Sequence, residues 1–309
     1  MGGRKSSLGQ AFYTLNGWRG YFRDAMQGKY FPDVTDHWFF AEIDGECAGR
    51  IWFAYSARSR RGNFGNVRTE PQYRRRGIMN VLMTHCMAEI RRSPVRTLCC
   101  STTNKFAAET YLKHGFHLIY GGETGPLCYS GEAPFPEQAK RAFAGSRIAE
   151  IRPGTIGDQF DCDKFLAYVP EIYHRALPVS TGPAALVNEY RLAYQEQIGG
   201  RSVVHVALNE QRECCGFAFA VMLAGGVAAL DFMVHPAYLA DAPRLIRAAA
   251  EAFRAKFGIP PVYYGLAADT EKNTVLREAG MEKTGGIAGC LTIRDRPADM
   301  TVMQFRTDI

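Results

Sequence analysis

Pro71, three arginines at 74–76 and Gly77 precede an apolar run that begins at Ile78, in the stretch "EPQYRRRGIM" (70–79). Guanidiniums and a glycine ahead of an amphipathic segment suit one task, holding an anion. The first turn of a helix has backbone N–H groups without partners and carries the positive end of the helix dipole, which favours phosphate. Gly77 admits close approach or a positive φ, while Arg74, Arg75 and Arg76 add charge and planar donors. A solvated basic turn has the same composition, and a glycine-containing turn alone is a weak signal.

The elements that would position this loop can be read from the pattern around it. "HWFFAEI" and "GRIWFAYS" flank "DGEC" as an apolar hairpin, and "GNVRTEP" forms a third strand that Pro71 ends. Ile78, Val81, Leu82, Cys86 and Ile90 recur at helical spacing. "VRTLCCST" reads as a strand and "NKFAAETYLKHG" as a short helix, with Asn104 its N-cap and Gly115 past its end.

The same order occurs twice. With a shift of 165, Glu70-Pro71-Gln72-Tyr73 falls on His235-Pro236-Ala237-Tyr238, Gly115-Phe116 on Gly280-Met281, Asn104 on Asp269 and Tyr111 on Leu276. Upstream the shift is 167, with Gly49 on Gly216, and the two-residue difference is assigned to the hairpin "SARSRRGNFG". The copies divide the chain into a first domain over 1–129, a linker over 130–146 and a second domain over 147–309. "RIAEIRP" opens the second copy as an extra strand, for which the first copy shows no equivalent. In the second copy Arg74–Met79 become Leu239, Ala240, Asp241, Ala242, Pro243 and Arg244. The arginines and glycine are gone, Asp241 adds negative charge and Pro243 lacks an N–H, so this half is expected not to bind phosphate. It is expected instead to pack on the first half, shape its cleft or form a homodimer.

Composition narrows the classes. A net charge of +6 suits an anionic cofactor, and the basic "SARSRRGN" (56–63) has too few interleaved aromatics to propose nucleic acid. Nine cysteines without a C-x-x-C pair read as reduced thiols of a cytoplasmic protein, with no metal site or disulfide frame. No stretch approaches the ~20 apolar residues that cross a bilayer, so no membrane is expected. Gly2 and Ser6 fit the loose myristoylation pattern, which is short enough to recur by accident.

Taken together, the chain resembles the GNAT acetyltransferase superfamily. The family signature Arg/Gln-x-x-Gly-x-Gly/Ala stands as Arg74-Arg75-Arg76-Gly77-Ile78-Met79, after Pro71 and Tyr73. A second motif stands as Asn104, Tyr111 and Gly115-Phe116. The likeness covers residues 37–122 well and the second copy more faintly. It implies an α/β fold of two GNAT-type domains, each a mixed, mostly antiparallel sheet flanked by helices, with one degenerate half. It also implies that acetyl-CoA is held by backbone amides of residues 75–79, by the strand at Val67, Arg68 and Thr69, and by Asn104. Met79 departs from the family's glycine or alanine and brings a side chain toward the phosphate.

Acyl transfer to an amine needs a polarised carbonyl, an acid for the departing thiolate and a base for the amine. The resemblance makes Tyr111 the acid, although beside Leu112 and Phe116 it also reads as a core aromatic. Asn104 contacts the coenzyme, caps its helix, or does both. Glu70 is the first candidate base, against a surface ion pair with Arg74 and Arg75; Glu42, His114 and His117 are weaker ones. The expected activity is N-acetylation of a primary amine on a small molecule. The alternatives are S-acyl transfer on a carrier-bound substrate and a non-catalytic acyl-CoA sensor.

Overall fold

A computed structural model describes residues 18–131, 133–167, 186–293 and 296–306, so the Gly2–Ser6 pattern lies outside the described residues. Their contacts form two compact units, one of residues 20–141, called N-terminal below, and the other chiefly of residues 142–309, called C-terminal. A helix, Phe135–Ala142, occupies the middle of the 130–146 stretch. No helix among the described residues is long and apolar enough to cross a membrane.

In the N-terminal unit, helix α1 (Trp18–Met26) precedes β1 (Val34–Ile43), β2 (Glu46–Ser56) and β3 (Arg61–Thr69). Helix α2 (Ile78–Arg92), β4 (Thr97–Thr102), α3 (Lys105–Lys113), β5 (Phe116–Leu118), β6 (Gly125–Ser130) and α4 (Phe135–Ala142) follow. The sheet order is β1-β2-β3-β4-β6-β5, and only β3–β4 is parallel. Alternation along β2 gives the sheet two distinct faces. Ile51, Phe53 and Tyr55 pack with Leu82, Met83, Cys86, Met87 and Ile90 of α2, which recur at helical spacing. Trp52 points the other way and meets Tyr21 and Phe22 of α1 edge-on.

The C-terminal unit runs β7 (Ile148–Pro153), a 3-10 segment (Ile156–Ala167), α5 (Leu186–Ile198), β8 (Ser202–Asn209), β9 (Cys214–Met222) and β10 (Ala228–Val234). Helix α6 (Ala242–Phe257), β11 (Val262–Leu266), α7 (Thr270–Glu278), β12 (Met281–Ile293) and β13 (Arg296–Phe305) complete it. Its order, β7-β8-β9-β10-β11-β13-β12, repeats that of the first sheet with one strand added. "RIAEIRP" is that strand, β7, and it covers the outer edge of β8. The equivalent edge in the first sheet is β1, which pairs only with β2 among the described residues.

The register relocates half of the offset between the copies. Six residues separate the paired Tyr55 and Gly62, and five separate Met222 and Ala228, so the turn takes one extra residue. The second is a bulge inside β3. Trp52 pairs with Gly65 and Arg50 with Arg68, which sets both Asn66 and Val67 opposite Ile51. Strand β10 pairs with β9 without any shift.

The parallel contact is short in both units. β3 meets β4 only through Arg61–Thr97, Gly62–Leu98 and Asn63–Cys99, and β10 meets β11 only through Ala229–Val262 and Leu230–Tyr263. Beyond those pairs the strands part. Gly62 sits at this contact, where a Cβ would lie 1.8 Å from the carbonyl oxygen of Ala54. Gly62→Ala is therefore expected to lower stability by about 1–3 kcal/mol, the usual range for overpacking, with thermal unfolding as the measurement. An unchanged melting temperature would contradict this packing.

Candidate functional site

The loop after β3 starts with a 3-10 turn, Pro71–Tyr73, closed by the bonds from Tyr73 N to Glu70 O (2.9 Å) and from Arg74 N to Pro71 O (3.3 Å). Arg75 and Gly77 then adopt left-handed conformations, φ 64° and 76°. Asn80 N and Val81 N turn back to Gly77 O at 3.0 and 3.2 Å. Between these bonds lie the five N–H groups of residues 75–79, none with an acceptor among the described residues. Alternating left-handed residues turn successive amides toward one concavity, which fits an anion, and the N-terminus of α2 reinforces it. Arg74 Nε donates to Thr69 O (3.3 Å), and Arg76 lies 5.5 Å from the ring of Tyr73. Met79 packs with Ile78 against the core below α2, so its side chain turns inward rather than toward the loop.

The bulge defines the other end of the site. Asn66 takes a left-handed φ of 51°, and its Oδ1 accepts from Arg50 Nε at 3.0 Å. Glu70 accepts from Arg68 Nε at 2.8 Å and Nη2 at 2.9 Å, and Arg50 approaches it at 3.9 Å. Thus Glu70 is held by the arginines of the sheet, not by Arg74 and Arg75. Val67 packs against the core cluster on α2's side of the sheet. Asn104 caps α3, its Oδ1 accepting from Ala107 N at 3.3 Å. Tyr111 is buried among Phe64, at 5.3 Å, and Phe116, at 5.9 Å. Burial, with a smaller contribution from Cys100, raises the pKa of its phenol. Glu42 and His117 are exposed; His117 lines a separate cavity of about 350 Å³ along β5 and β6, which holds none of the other predicted residues. Sequence reading missed Asn66 and Arg50. The change in repeat offset before Glu70 was the available signal.

Residues 10–116 match the family model described as "Acetyltransferase (GNAT) family". This match spans about a third of the chain, toward its N-terminus. Among solved structures, it is similar to a phosphinothricin acetyltransferase from Sinorhizobium meliloti in complex with AcCoA, at 16% identity over 51% of this chain and 87% of that one, with a TM-score of 0.43. It is also similar to a spermidine N-acetyltransferase chimera from Vibrio cholerae and hSSAT, at 15% identity over 50% and 93%, TM-score 0.39. A ribosomal-protein-S5-alanine acetyltransferase from Vibrio fischeri follows at 10% identity over 51% and 92%, TM-score 0.42. No curated protein sequence matches the chain.

In the C-terminal unit the equivalent loop and strand ends make other contacts. The loop after β10 is a 3-10 segment, Pro236–Asp241, that runs directly into α6. Asp241 Oδ2 accepts from Ile148 N (2.8 Å) and Arg244 Nη1 donates to Ile148 O (3.0 Å), so the loop anchors β7. Where β10 and β11 part, Asp231 accepts from Phe232 N at 2.7 Å. Lys272 of α7 reaches the same carboxylate, with its ammonium 4.9 Å from the Phe232 ring and 5.4 Å from that of Tyr263. The pair is almost fully buried, Lys272 at 7% and Asp231 at 1% exposure. At the shift of 165, Phe232 stands for Val67 and Lys272 for Ala107. The gap between these strands is therefore filled from within.

A buried ion pair is sensitive to loss of one partner and tolerant of loss of both. Lys272→Met should destabilise the protein by about 3–5 kcal/mol, and the Asp231→Asn, Lys272→Met double variant should recover most of that loss. Chemical denaturation would measure both. A double variant as unstable as the single one would show that the charge left unpaired is not the cause.

Proposed function

We propose that the N-terminal unit binds acetyl-CoA and transfers its acetyl group to the primary amine of a small molecule, while the C-terminal unit binds no coenzyme. The observation that carries the reading is the row of five unpaired N–H groups at residues 75–79, beside a strand that has parted from its parallel neighbour. These amides and the adjoining guanidiniums suit a pyrophosphate. Acetyl-CoA would supply the activated thioester. Val67, Arg68 and Thr69 border the gap in which its arm would lie, and Asn104, whose oxygen caps α3, still has its amide N–H groups to donate.

In the transfer, the amine nitrogen bonds to the thioester carbon, the C–S bond breaks, one amine proton leaves, and the thiolate takes up a proton. Val67 N–H is assigned to polarise the carbonyl. Tyr111 is assigned as the acid; a phenol is protonated at neutral pH in any case, and burial, which raises its pKa, makes it a weaker acid that gives up its proton only to a developing thiolate. Glu70 is assigned to take the amine proton, directly or through a water, which requires Arg68 to loosen its hold. In the C-terminal unit Leu276 replaces Tyr111, and the Asp231 carboxylate occupies the N–H of Phe232.

Calorimetry is expected to show one acetyl-CoA per chain. Replacing Arg74 by Ala and Arg75 by Gly, which removes two guanidiniums and loosens the left-handed backbone, should weaken binding about 10- to 100-fold. Tyr111→Phe should lower kcat about 100-fold or more without changing coenzyme affinity. No binding would refute the proposal, and two coenzymes per chain would refute the assignment of the C-terminal unit. Binding without turnover on any amine would favour an acyl-CoA sensor.

A further inference from the structure

The face of the first sheet opposite α2 carries side chains that the transfer chemistry leaves unused. Trp38 pairs across the strands with Trp52, and Phe40 with Arg50. Phe22 of α1 meets Trp38 at 5.2 Å and Trp52 at 5.1 Å, and Trp38 stacks on Phe40 at 5.9 Å with the rings 6° apart. Phe40, the outermost ring, is 55% exposed. Gly65, opposite Trp52, adds no side chain between this aromatic surface and the bulge. Arg50 lies at the junction, since it faces Phe40 across one strand pair and binds bulge residue Asn66.

Two guanidiniums and one carboxylate meet at that junction. Arg50 and Arg68 face one carboxylate, Glu70, and Arg68 holds it through two bonds at 2.8 and 2.9 Å. Arg50 spends Nε on Asn66 and comes no nearer than 3.9 Å to Glu70, so much of its fork remains available to an anion. Two more carboxylates lie along this face of β1: Asp36, which accepts from Trp52 Nε1 at 2.7 Å, and the exposed Glu42, two residues beyond Phe40. The unbonded part of the Arg50 fork is the cationic donor at this junction. An acceptor with its own carboxylate close to the amine would complement it.

We infer that the acceptor is an α-amino acid with an apolar or aromatic side chain, its carboxylate on Arg50, its amine at the bulge and its side chain on Phe40 and Trp38. The inference rests on acetyl transfer at the bulge and names the class of amine. Two bonds separate the amine nitrogen from the carboxylate carbon in such a molecule, a span that suits the adjacency of Val67, Asn66 and Arg50. Phe40 and Trp38 supply flat apolar area at its side chain, where burial and ring stacking favour aromatic groups.

The test uses the full chain with acetyl-CoA and follows thiol release over phenylalanine, leucine, alanine, phenethylamine, spermidine and a short peptide. Phenylalanine and leucine should exceed phenethylamine and spermidine in kcat/KM by about tenfold or more, the worth of one charged hydrogen bond. Arg50→Gln should raise KM for phenylalanine about 10- to 100-fold and raise that for phenethylamine several-fold less. Phe40→Ala should raise KM for phenylalanine more than for alanine. Preference for spermidine, phenethylamine or the peptide overturns the inference, as does an Arg50→Gln effect that is equal with and without the carboxylate. In those cases coenzyme binding still stands and only the acceptor class falls; if the wild-type chain binds no acetyl-CoA, both readings fall.

Discussion

A parallel strand pair that stops after two or three residues leaves main-chain groups facing a gap, and such groups must be satisfied or solvated. This constraint governs both units. In the C-terminal unit the gap is closed by Asp231, which takes the N–H of Phe232 and is neutralised by Lys272 from the helix above. In the N-terminal unit the helix presents Ala107 at that position, and β3 bulges beside it. One unit has an internal ligand where the other leaves room for an external one.

The two units serve as a comparison within one chain. Each has a proline-led 3-10 turn between the third strand of the repeat and the following helix. What differs is the backbone after that turn. Without Gly77 and a left-handed Arg75, the C-terminal loop passes smoothly into α6, and Asp241 and Arg244 bind the main chain of β7. The absence of a β7 equivalent among the described residues of the first unit is thus accompanied by a loop with nothing of the chain to bind. The smooth loop and the edge strand that it anchors are two sides of the same local difference.

Much of this was legible in the sequence because the signals were local. The hairpin, the helix at Ile78, the cap at Asn104 and the opening strand of the second copy follow from periodicity, proline and capping chemistry. The final strands were not read, since β5 is three residues long and β12 carries "TGGIAG", which resembles a loop. The bulge was misplaced into the hairpin because an inserted residue changes the repeat offset equally from either position. Glu70 could be paired with the wrong arginines for a related reason. Sequence proximity favours Arg74, whereas strand pairing brings Arg50 to the same carboxylate from twenty residues upstream.

Arg75 shows how tightly the loop is determined. A left-handed arginine is strained, since its Cβ crowds the following carbonyl, and such strain persists only where the surroundings fix it. Here the Pro71–Tyr73 turn fixes the chain before it, and the bonds from Asn80 and Val81 to Gly77 O fix the chain after it. Glycine at 75 would relieve the strain but leave the five amides free to rotate away from one another in the unbound protein. Inward packing of Ile78 and Met79 extends that restraint to the last amide of the row. Met79, which looked like an obstacle to phosphate because of its size, therefore acts as an anchor: a glycine or alanine would leave the amide equally accessible but with less packing to hold it.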